Sequence, residues 1–429
     1  MSPLITLILF FLCLILAIPV SVSLGIVAIL PGATDASFTA SAKYIIRSMF
    51  GGLDSFPLLA LPMFILSGII MARGGISKRL FDLFSYFLGK VSAGIPCAVI
   101  GTSLFYGAIS GSGVATTAAV GSMTIPILTK LGYDKGFSSA IVAVSGCLGV
   151  ILPPSIPFIL FSMASGTSVG DLFIAGIIPG LLVSFLLMVY AIIYCKVKGE
   201  DREKINAEID ILHERGLWNV FKDGFFALLS PIIILGCIYT GVTSPTEAAV
   251  ISVIYALIIS IFVYKTLEMR MLKTVFIEAI RAYAPILFIL ATSIAFSRVL
   301  TLMQVPQSIS FWISENFTSY ILVLLVINLF LLLIGTTMDT TPAILILTPI
   351  LMPIVSSYGM DPVHFGVIVV VNLAIGLVTP PIGLSLFVAS STSGLPAMTI
   401  AKHAIPIIGF FLIALLLVTF IPAISLGLL

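Results

Sequence analysis

Glycine and hydroxyl residues gather at the centre of a very apolar chain, in the segment "FYGAISGSGVATTAAVG" from Phe105 to Gly121. Glycine weakens a helix, and inside a bilayer each freed backbone group needs a partner within the protein. A bare backbone with nearby hydroxyl groups supplies oxygen ligands for a small cation, and glycine permits close approach. The segment "GTTMDTTPA", Gly335 to Ala343, has the same character and adds the carboxyl group of Asp339. A carboxyl group within a hydrophobic stretch is costly and indicates function.

Two pairs of adjacent prolines interrupt later apolar runs, at Pro153-Pro154 and Pro380-Pro381. Because proline ends a helix, each run becomes two half-helices. The free carbonyl groups at the break can bind Na⁺, and the partial positive charge at the N-terminus of a half-helix favours a carboxylate. The offset of 227 residues between the two pairs (380 − 153) also relates Asp134 to Asp361. This match predicts an internal repeat that places the two polar segments opposite each other.

The sequence therefore predicts two Na⁺ sites, each made of a glycine-rich segment and the Pro-Pro break that follows it. The residues expected at the first are Ser103, Ser110, Gly111, Ser112, Gly113, Gly149, Pro153 and Ser155. The residues expected at the second are Gly335, Thr336, Thr337, Asp339, Gly376, Thr379 and Pro380. The residues expected to bind the substrate are Asp339, Thr340, Ser112 and Arg298. Structural alternatives stay open, since small residues pack helices, Asp339 can cap a helix and Arg298 can reach the interface.

The composition places the chain in a membrane, with lipid as its surroundings. Of 429 residues, 60% are hydrophobic and 9% charged, with a mean hydropathy of +1.26, whereas soluble domains hold about 25% charged residues. A net charge of +2 without a basic tract excludes a nucleic-acid partner. The five cysteines and three histidines stand singly, without the spacing of a metal or redox site.

Lysine and arginine favour the cytoplasmic side of a membrane. The clusters of these residues along the sequence all fall on one side only if residues 91–131 enter and leave the membrane by the same face. We therefore predict an all-α polytopic membrane protein, an inverted repeat with two opposed re-entrant hairpins and two Pro-Pro-broken helices. Its N-terminus is expected in the cytoplasm and its C-terminus in the periplasm. The first apolar run, Leu4–Leu30, is predicted as one span.

Inverted repeats with broken helices are typical of secondary transporters. The pattern divides the chain into three parts. The parts are 1–195, a first repeat with the cytoplasmic-side hairpin 91–131 and the broken helix 138–166; 196–246, a charged cytoplasmic connector with a linking span; and 247–429, an inverted second repeat with the periplasmic-side hairpin 320–355 and the broken helix 364–392. The amphipathic segments 76–90 and 304–316 are expected at opposite interfaces as arms.

The segments "GAISGSGVATTAAVGSMTIP", "GVILPPSIPFILF", "GVTSPTEAA" and "GLVTPPIG" strongly resemble the large membrane subunit of tripartite ATP-independent periplasmic (TRAP) transporters, especially the sialic-acid members. The resemblance covers essentially the whole chain. It implies an elevator-type importer of the wider ion-transporter superfamily in the bacterial inner membrane, coupled to about two or more Na⁺ and without an organic cofactor. The implied partners are a separate small four-helix membrane subunit and a periplasmic binding protein that delivers an organic anion. The family's sodium sites map onto Ser110–Gly113 with Pro153–Ser155, and onto Gly335–Asp339 with Thr379-Pro380.

The expected function is therefore sodium-coupled import of sialic acid, with a C4-dicarboxylate or another carboxylate as the alternative substrate. An intramembrane hydrolase with Ser110 or Ser112 as nucleophile is a remote alternative, because it needs a general base and no histidine lies in the middle of a span. A primary pump is disfavoured by the lack of a G-x-x-x-x-G-K-[ST] phosphate loop. A passive channel or a scaffold does not require two paired polar breaks. We predict a transporter and not an enzyme.

Overall fold

The computed structural model describes residues 3–16, 18–35, 38–316 and 319–429, which form helices joined by short turns, with no β-strand among them. Eight helical stretches in these ranges are long and apolar enough to cross a membrane. The structure confirms the all-α prediction and agrees with a polytopic membrane protein.

The first apolar run forms two short helices, so the prediction of one span over Leu4–Leu30 is wrong; residue 17 lies outside the described part. The first helix ends at Ile15, and the second begins at Val20, directly after Pro19. Proline lacks an N–H group and disfavours a helical residue before it, which separates the two helices. The opening helices are α1 (Pro3–Ile15), α2 (Val20–Thr34), α3 (Ala42–Leu53) and α4 (Ala60–Arg73), the last preceded by a 3₁₀ turn at Phe56–Leu59.

After α4, the first half continues with an amphipathic helix, a helical hairpin, a broken helix and a long helix, and a connector follows. These are α5 (Ile76–Leu88), α6 (Gly94–Ser110), α7 (Gly113–Lys130), α8 (Lys135–Gly146) with a 3₁₀ turn at Cys147–Val150, α9 (Ile156–Ser165), α10 (Val169–Lys198), α11 (Arg202–Glu214) and α12 (Leu217–Tyr239).

The second half begins with two helices and then contains a shorter helix, a helical hairpin, a broken helix and a long helix in the same order. These are α13 (Pro245–Ile258) with a π turn at Ile259–Val263, a 3₁₀ turn at Met269–Met271, α14 (Leu272–Leu302), α15 (Val305–Asn316), α16 (Tyr320–Thr337), α17 (Thr340–Ser357), α18 (Pro362–Gly376), α19 (Leu384–Ser393), α20 (Ala397–Phe420) and α21 (Ala423–Leu426).

The turns of the two hairpins and the two helix breaks are held in one region by interlocked packing. We name the turns tip 1 (Ser110–Gly113) and tip 2 (Gly335–Thr340), and the breaks break 1 (Cys147–Ser155) and break 2 (Leu377–Gly383). The first helix of each hairpin packs on the first half of its own broken helix, α6 on α8 and α16 on α18. The second helix packs on the second half of the other broken helix, α7 on α19 and α17 on α9. The two halves of the chain therefore build this region jointly.

Two pairs of glycines allow these helices to cross at backbone contact. A Cβ atom on Gly107 would lie 2.5 Å from the Cα atom of Gly149, and one on Gly376 would lie 2.5 Å from the Cα atom of Gly335. No side chain fits at either crossing without a shift of the backbone. Each crossing brings a hairpin tip against the break of the same half.

Candidate functional site

One cavity of about 260 Å³ is lined by both tips and both breaks. Ile286 of α14 also lines it. The lining residues are Gly111, Ser112, Gly113, Val114, Val150, Ile156, Pro157, Ile286, Asp339, Thr340, Thr341, Leu377 and Leu384. The structure thus brings together predicted residues of both Na⁺ sites and three of the four predicted substrate residues.

Four helices begin at this cavity, and the first residue of each lines it: Gly113 of α7, Ile156 of α9, Thr340 of α17 and Leu384 of α19. The N-terminus of a helix carries free N–H groups and a partial positive charge. No lysine or arginine is among the described residues that line the cavity. An anion bound here would therefore be held by helix termini and backbone N–H groups.

Tip 1 and the start of α7 supply three oxygen atoms that contact one another. The hydroxyl groups of Ser110 and Thr116 lie 2.9 Å apart, and Thr116 donates to the carbonyl of Ser112 at 2.8 Å. Ser110 Oγ lies 3.3 Å from the same carbonyl. Gly111 adopts a φ of +62°, and a Cβ atom there would lie 3.3 Å from the carbonyl oxygen of Pro154, so a side chain at this position would be strained. These oxygens form a preassembled neutral cluster.

Two other predicted residues of the first site, Ser103 and Ser155, make hydrogen bonds outside this cluster. Ser103 and Ser145 share a hydrogen bond of 3.0 Å between α6 and α8, and both are fully buried. The hydroxyl of Ser155 donates to the carbonyl of Val150 across break 1, which contains Pro153. These contacts fix the relative positions of the helices and the break.

Tip 2 is arranged differently, because the hydroxyl groups of Thr336 and Thr337 bond back into α16 and that of Thr340 donates to Oδ1 of Asp339 at 3.3 Å. Thr336 and Thr337 donate to carbonyls three residues earlier, at 2.7 and 2.9 Å, and Thr379 donates four residues back at 2.7 Å. Asp339 caps α17, since its Oδ1 accepts from the N–H of Thr340 at 2.7 Å. The capping interpretation is thus confirmed, and the same carboxyl group also lines the cavity. In the part of the chain that the structure describes, the hydroxyls of Thr336, Thr337 and Thr379 do not bond to one another.

Arg298 lies apart from the other predicted substrate residues. It lines a second cavity of about 270 Å³ together with Ser55, Met163 and Leu345, and it donates to the hydroxyl of Ser48 at 3.3 Å. The prediction that Arg298 shares a site with Asp339 is therefore not met by this arrangement.

Sequence reasoning missed Thr116, Thr341 and the crossing glycine Gly107. Thr116 follows Ser112 by four residues at the start of a helix, a spacing that predicts a hydroxyl-to-carbonyl bond. Gly107 precedes Gly335 by 228 residues (335 − 107), one more than the repeat offset. Both signals were present in the sequence. Among the described residues no three His, Cys, Asp or Glu side chains gather, so a cation here would rely on carbonyls, hydroxyls and Asp339.

Comparison with known proteins assigns the family. Residues 7–424 match the family model described as the tripartite ATP-independent periplasmic transporter, DctM component. This chain belongs to the DctM family. The resemblance to a TRAP large membrane subunit is thereby confirmed, and DctM-family proteins are transporter permeases rather than enzymes.

Three relatives of this DctM-family chain carry different substrate names. The isethionate TRAP transporter permease protein DctMQ of Oleidesulfovibrio alaskensis is 41% identical over 415 residues, which are 97% of this chain and 64% of that relative, so the chain spans less than two thirds of its length. The C4-dicarboxylate TRAP transporter large permease protein DctM of Pseudomonas aeruginosa is 39% identical, covering 90% of each chain. The sialic acid TRAP transporter large permease protein SiaM of Vibrio cholerae is 34% identical, covering 95% and 94%.

A solved structure shares the fold of this DctM-family chain. The Alcanivorax borkumensis YdaH transporter aligns with a TM-score of 0.67 and 15% sequence identity, covering 100% of this chain and 99% of that one. At this identity the likeness concerns the fold alone.

Proposed function

We propose that the chain is the large membrane subunit of a sodium-coupled importer of a small organic anion. The observation that carries the proposal is the cavity on which four helix N-termini and the carboxyl group of Asp339 converge. Helix N-termini favour an anion, whereas carboxyl oxygens and freed carbonyls favour Na⁺. An anion and Na⁺ bound side by side attract each other, which couples their binding.

The lining of the cavity favours a short carboxylate or sulfonate over sialic acid, the substrate expected from the sequence. Among the described residues that line the cavity, only Ser112, Asp339, Thr340 and Thr341 offer polar side chains. A sugar acid carries several hydroxyl groups, and each one buried without a partner costs about 1–3 kcal/mol. The relatives named for isethionate and C4-dicarboxylate transport are also more similar to this chain, at 41% and 39%, than the sialic acid relative at 34%.

The packing supports an elevator mechanism. Helices α2, α3 and α4 pack on α14, and α4 also packs on α13. The hairpins, the broken helices, α10 and α20 pack on one another, and this second group meets the first where α17 packs on α14 and α6 packs on α4. We propose that the second group carries the anion and two or more Na⁺ past the first, with α5 and α15 as arms. Each Na⁺ that moves inward gains about 2.3 kcal/mol per 100 mV of membrane potential.

The proposed partners follow from the tripartite family description. They are a small four-helix membrane subunit and a periplasmic substrate-binding protein. We place the chain in the bacterial inner membrane with its N-terminus in the cytoplasm and its C-terminus in the periplasm, as the lysine and arginine pattern indicates.

Uptake into proteoliposomes tests the proposal. The vesicles hold this chain and the small subunit, with the binding protein outside and labelled isethionate, a C4-dicarboxylate or sialic acid offered in turn. We expect uptake of one of the two short acids that requires both the binding protein and an inward Na⁺ gradient. Uptake of sialic acid alone would overturn the substrate choice. Uptake that ignores the Na⁺ gradient would overturn the mechanism.

A further inference from the structure

Glu200 is buried although it lies at the start of the most hydrophilic segment of the chain. Only 3% of its side chain is exposed. It follows the end of α10 and precedes α11. A carboxyl group at such a position normally stays in water, because burial of a charge is costly unless it is paired and hydrogen-bonded.

In the described part of the chain, the Glu200 carboxyl group accepts hydrogen bonds from four residues of different turns. The hydroxyl of Ser92 donates at 3.2 Å, the N–H of Ala93 at 3.1 Å to both oxygens, and the hydroxyl of Tyr133 at 2.6 Å. The guanidinium of Arg202 donates at 2.7 Å, and its other terminal nitrogen donates to the carbonyls of residues 90 and 91. Burial, and then the bond to Glu200, raise the pKa of Tyr133, so its hydroxyl stays protonated and donates.

These donors come from different turns at the open end of the first hairpin. Ser92 and Ala93 precede α6, and Tyr133 lies between α7 and α8. Ala93 has a φ of +59°, a conformation that an alanine adopts only when its surroundings hold it. One carboxyl group therefore joins both legs of the hairpin, the start of the broken helix and the end of α10.

We propose that Glu200 is a positioning residue that clamps the open end of the first hairpin to the broken helix and α10, so that tip 1 moves with them as one body. The clamp itself stands on the contacts above, and its part in transport rests on the proposed function. Gly427 occupies the position 227 residues later, so this offset relates Glu200 to a residue without a carboxyl group, and the second hairpin serves as an internal reference.

Hydrogen exchange of the full chain in lipid nanodiscs tests the clamp, with Glu200→Gln compared to Glu208→Gln. Glu208 belongs to the same connector and pairs with Lys130 at 3.0 Å, but 43% of its side chain is exposed. We expect Glu200→Gln to raise exchange at least about tenfold both at 93–97 and at 131–137, because several charge-assisted hydrogen bonds are lost. Glu208→Gln is expected to stay within about twofold. The open end of the second hairpin should not change in either variant.

Faster hydrogen exchange at only one of the segments 93–97 and 131–137, or an equal increase in exchange in the two variants, would overturn the proposed clamp. If Glu200→Gln does not fold, Tyr133→Phe replaces it, since it removes one hydrogen bond. It should loosen 93–97 as well as 131–137 if the carboxyl group is shared, and a change at 131–137 alone would contradict the proposal.

In the uptake assay we expect Glu200→Gln to lower the maximal rate about tenfold with an unchanged apparent Na⁺ affinity, because the clamp is remote from the cavity. A loss of apparent Na⁺ affinity in Glu200→Gln as large as the loss of maximal rate would contradict a positioning role. Absence of uptake by the unmodified chain would refute the proposed function and leave the exchange result intact.

Discussion

Tip 1 and tip 2 occupy equivalent places in the two halves but supply oxygen atoms in different ways. At tip 1, the oxygens of Ser110, Ser112 and Thr116 contact one another within 2.8 to 3.3 Å. At tip 2, Thr336 and Thr337 bond back into α16, and Thr340 donates to the carboxyl group of Asp339 at 3.3 Å. The two tips thus share a backbone arrangement, but tip 1 presents a cluster of hydroxyl and carbonyl oxygens and tip 2 presents an acid.

The comparison separates features that both halves of the chain share from features that differ between them. Glycine crossings and Pro-Pro breaks recur because both hairpins need the same close backbone approach. In the proposed sodium sites, a neutral oxygen cluster and a carboxyl group would stabilise the cation by different means. We therefore expect substitutions at the two tips to have unequal effects.

Asp339→Asn should have the largest effect, a loss of uptake of about 100-fold or more, because loss of a charged partner in a buried site costs about 3–5 kcal/mol. Asn caps helices as well as Asp does, so the fold should persist. The control is Asp361→Asn, since Asp361 caps α18 through the N–H groups of Val363 and His364 and does not line the cavity. Similar losses in both variants would reduce Asp339 to a capping residue.

Gly149→Ala and Gly376→Ala should come next, with uptake reduced at least about tenfold and a lower unfolding temperature, because overpacking costs about 1–3 kcal/mol. At Gly149 the new Cβ would lie 2.5 Å from Thr116 Oγ1, within the tip 1 cluster, whereas at Gly376 its three nearest neighbours would be backbone atoms of Gly335. Gly149→Ala should therefore also weaken apparent Na⁺ affinity. Gly409→Ala is the control, since nothing lies within 4 Å of that position; a comparable loss there would refute the crossing argument.

Thr116→Val should weaken apparent Na⁺ affinity about fivefold, the effect of losing one hydrogen bond of about 1 kcal/mol. Thr117→Val is the matched control, because the neighbouring hydroxyl only donates to the carbonyl of Gly113 within α7. Na⁺ titration of uptake measures both variants. Equal shifts would mean that the tip 1 cluster has no special role.

Thr337→Val should have the smallest effect, within about threefold, since this hydroxyl is exposed and bonds back to Ile334. The same Na⁺ titration measures it beside Thr116→Val. If the tip 2 variant lost as much affinity as the tip 1 variant, the contrast between a neutral and a charged tip would be wrong.

Much of the site was predictable because spacing in the sequence reports on backbone geometry. The 227-residue offset and the two Pro-Pro pairs indicate the tips, the breaks and Asp339 from the sequence alone. The break at Pro19 was missed, since a continuous apolar run favours one span over two short helices. Arg298 was grouped with Asp339 by its chemistry, but the packing of α14 places it at another cavity. Glu200 gave no signal, because burial within a hydrophilic segment depends on distant turns.

The most direct test of the central claim is the unfolding temperature of the purified chain as a function of NaCl or KCl concentration, for the unmodified protein and for Asp339→Asn. A ligand that binds only the folded state at 100 times its Kd stabilises it by about 2.7 kcal/mol. We predict that NaCl raises the unfolding temperature of the unmodified chain more than KCl does, and that Asp339→Asn removes most of this difference. Equal effects of the two salts, or an unchanged Na⁺ effect in Asp339→Asn, would contradict a sodium site at the tips.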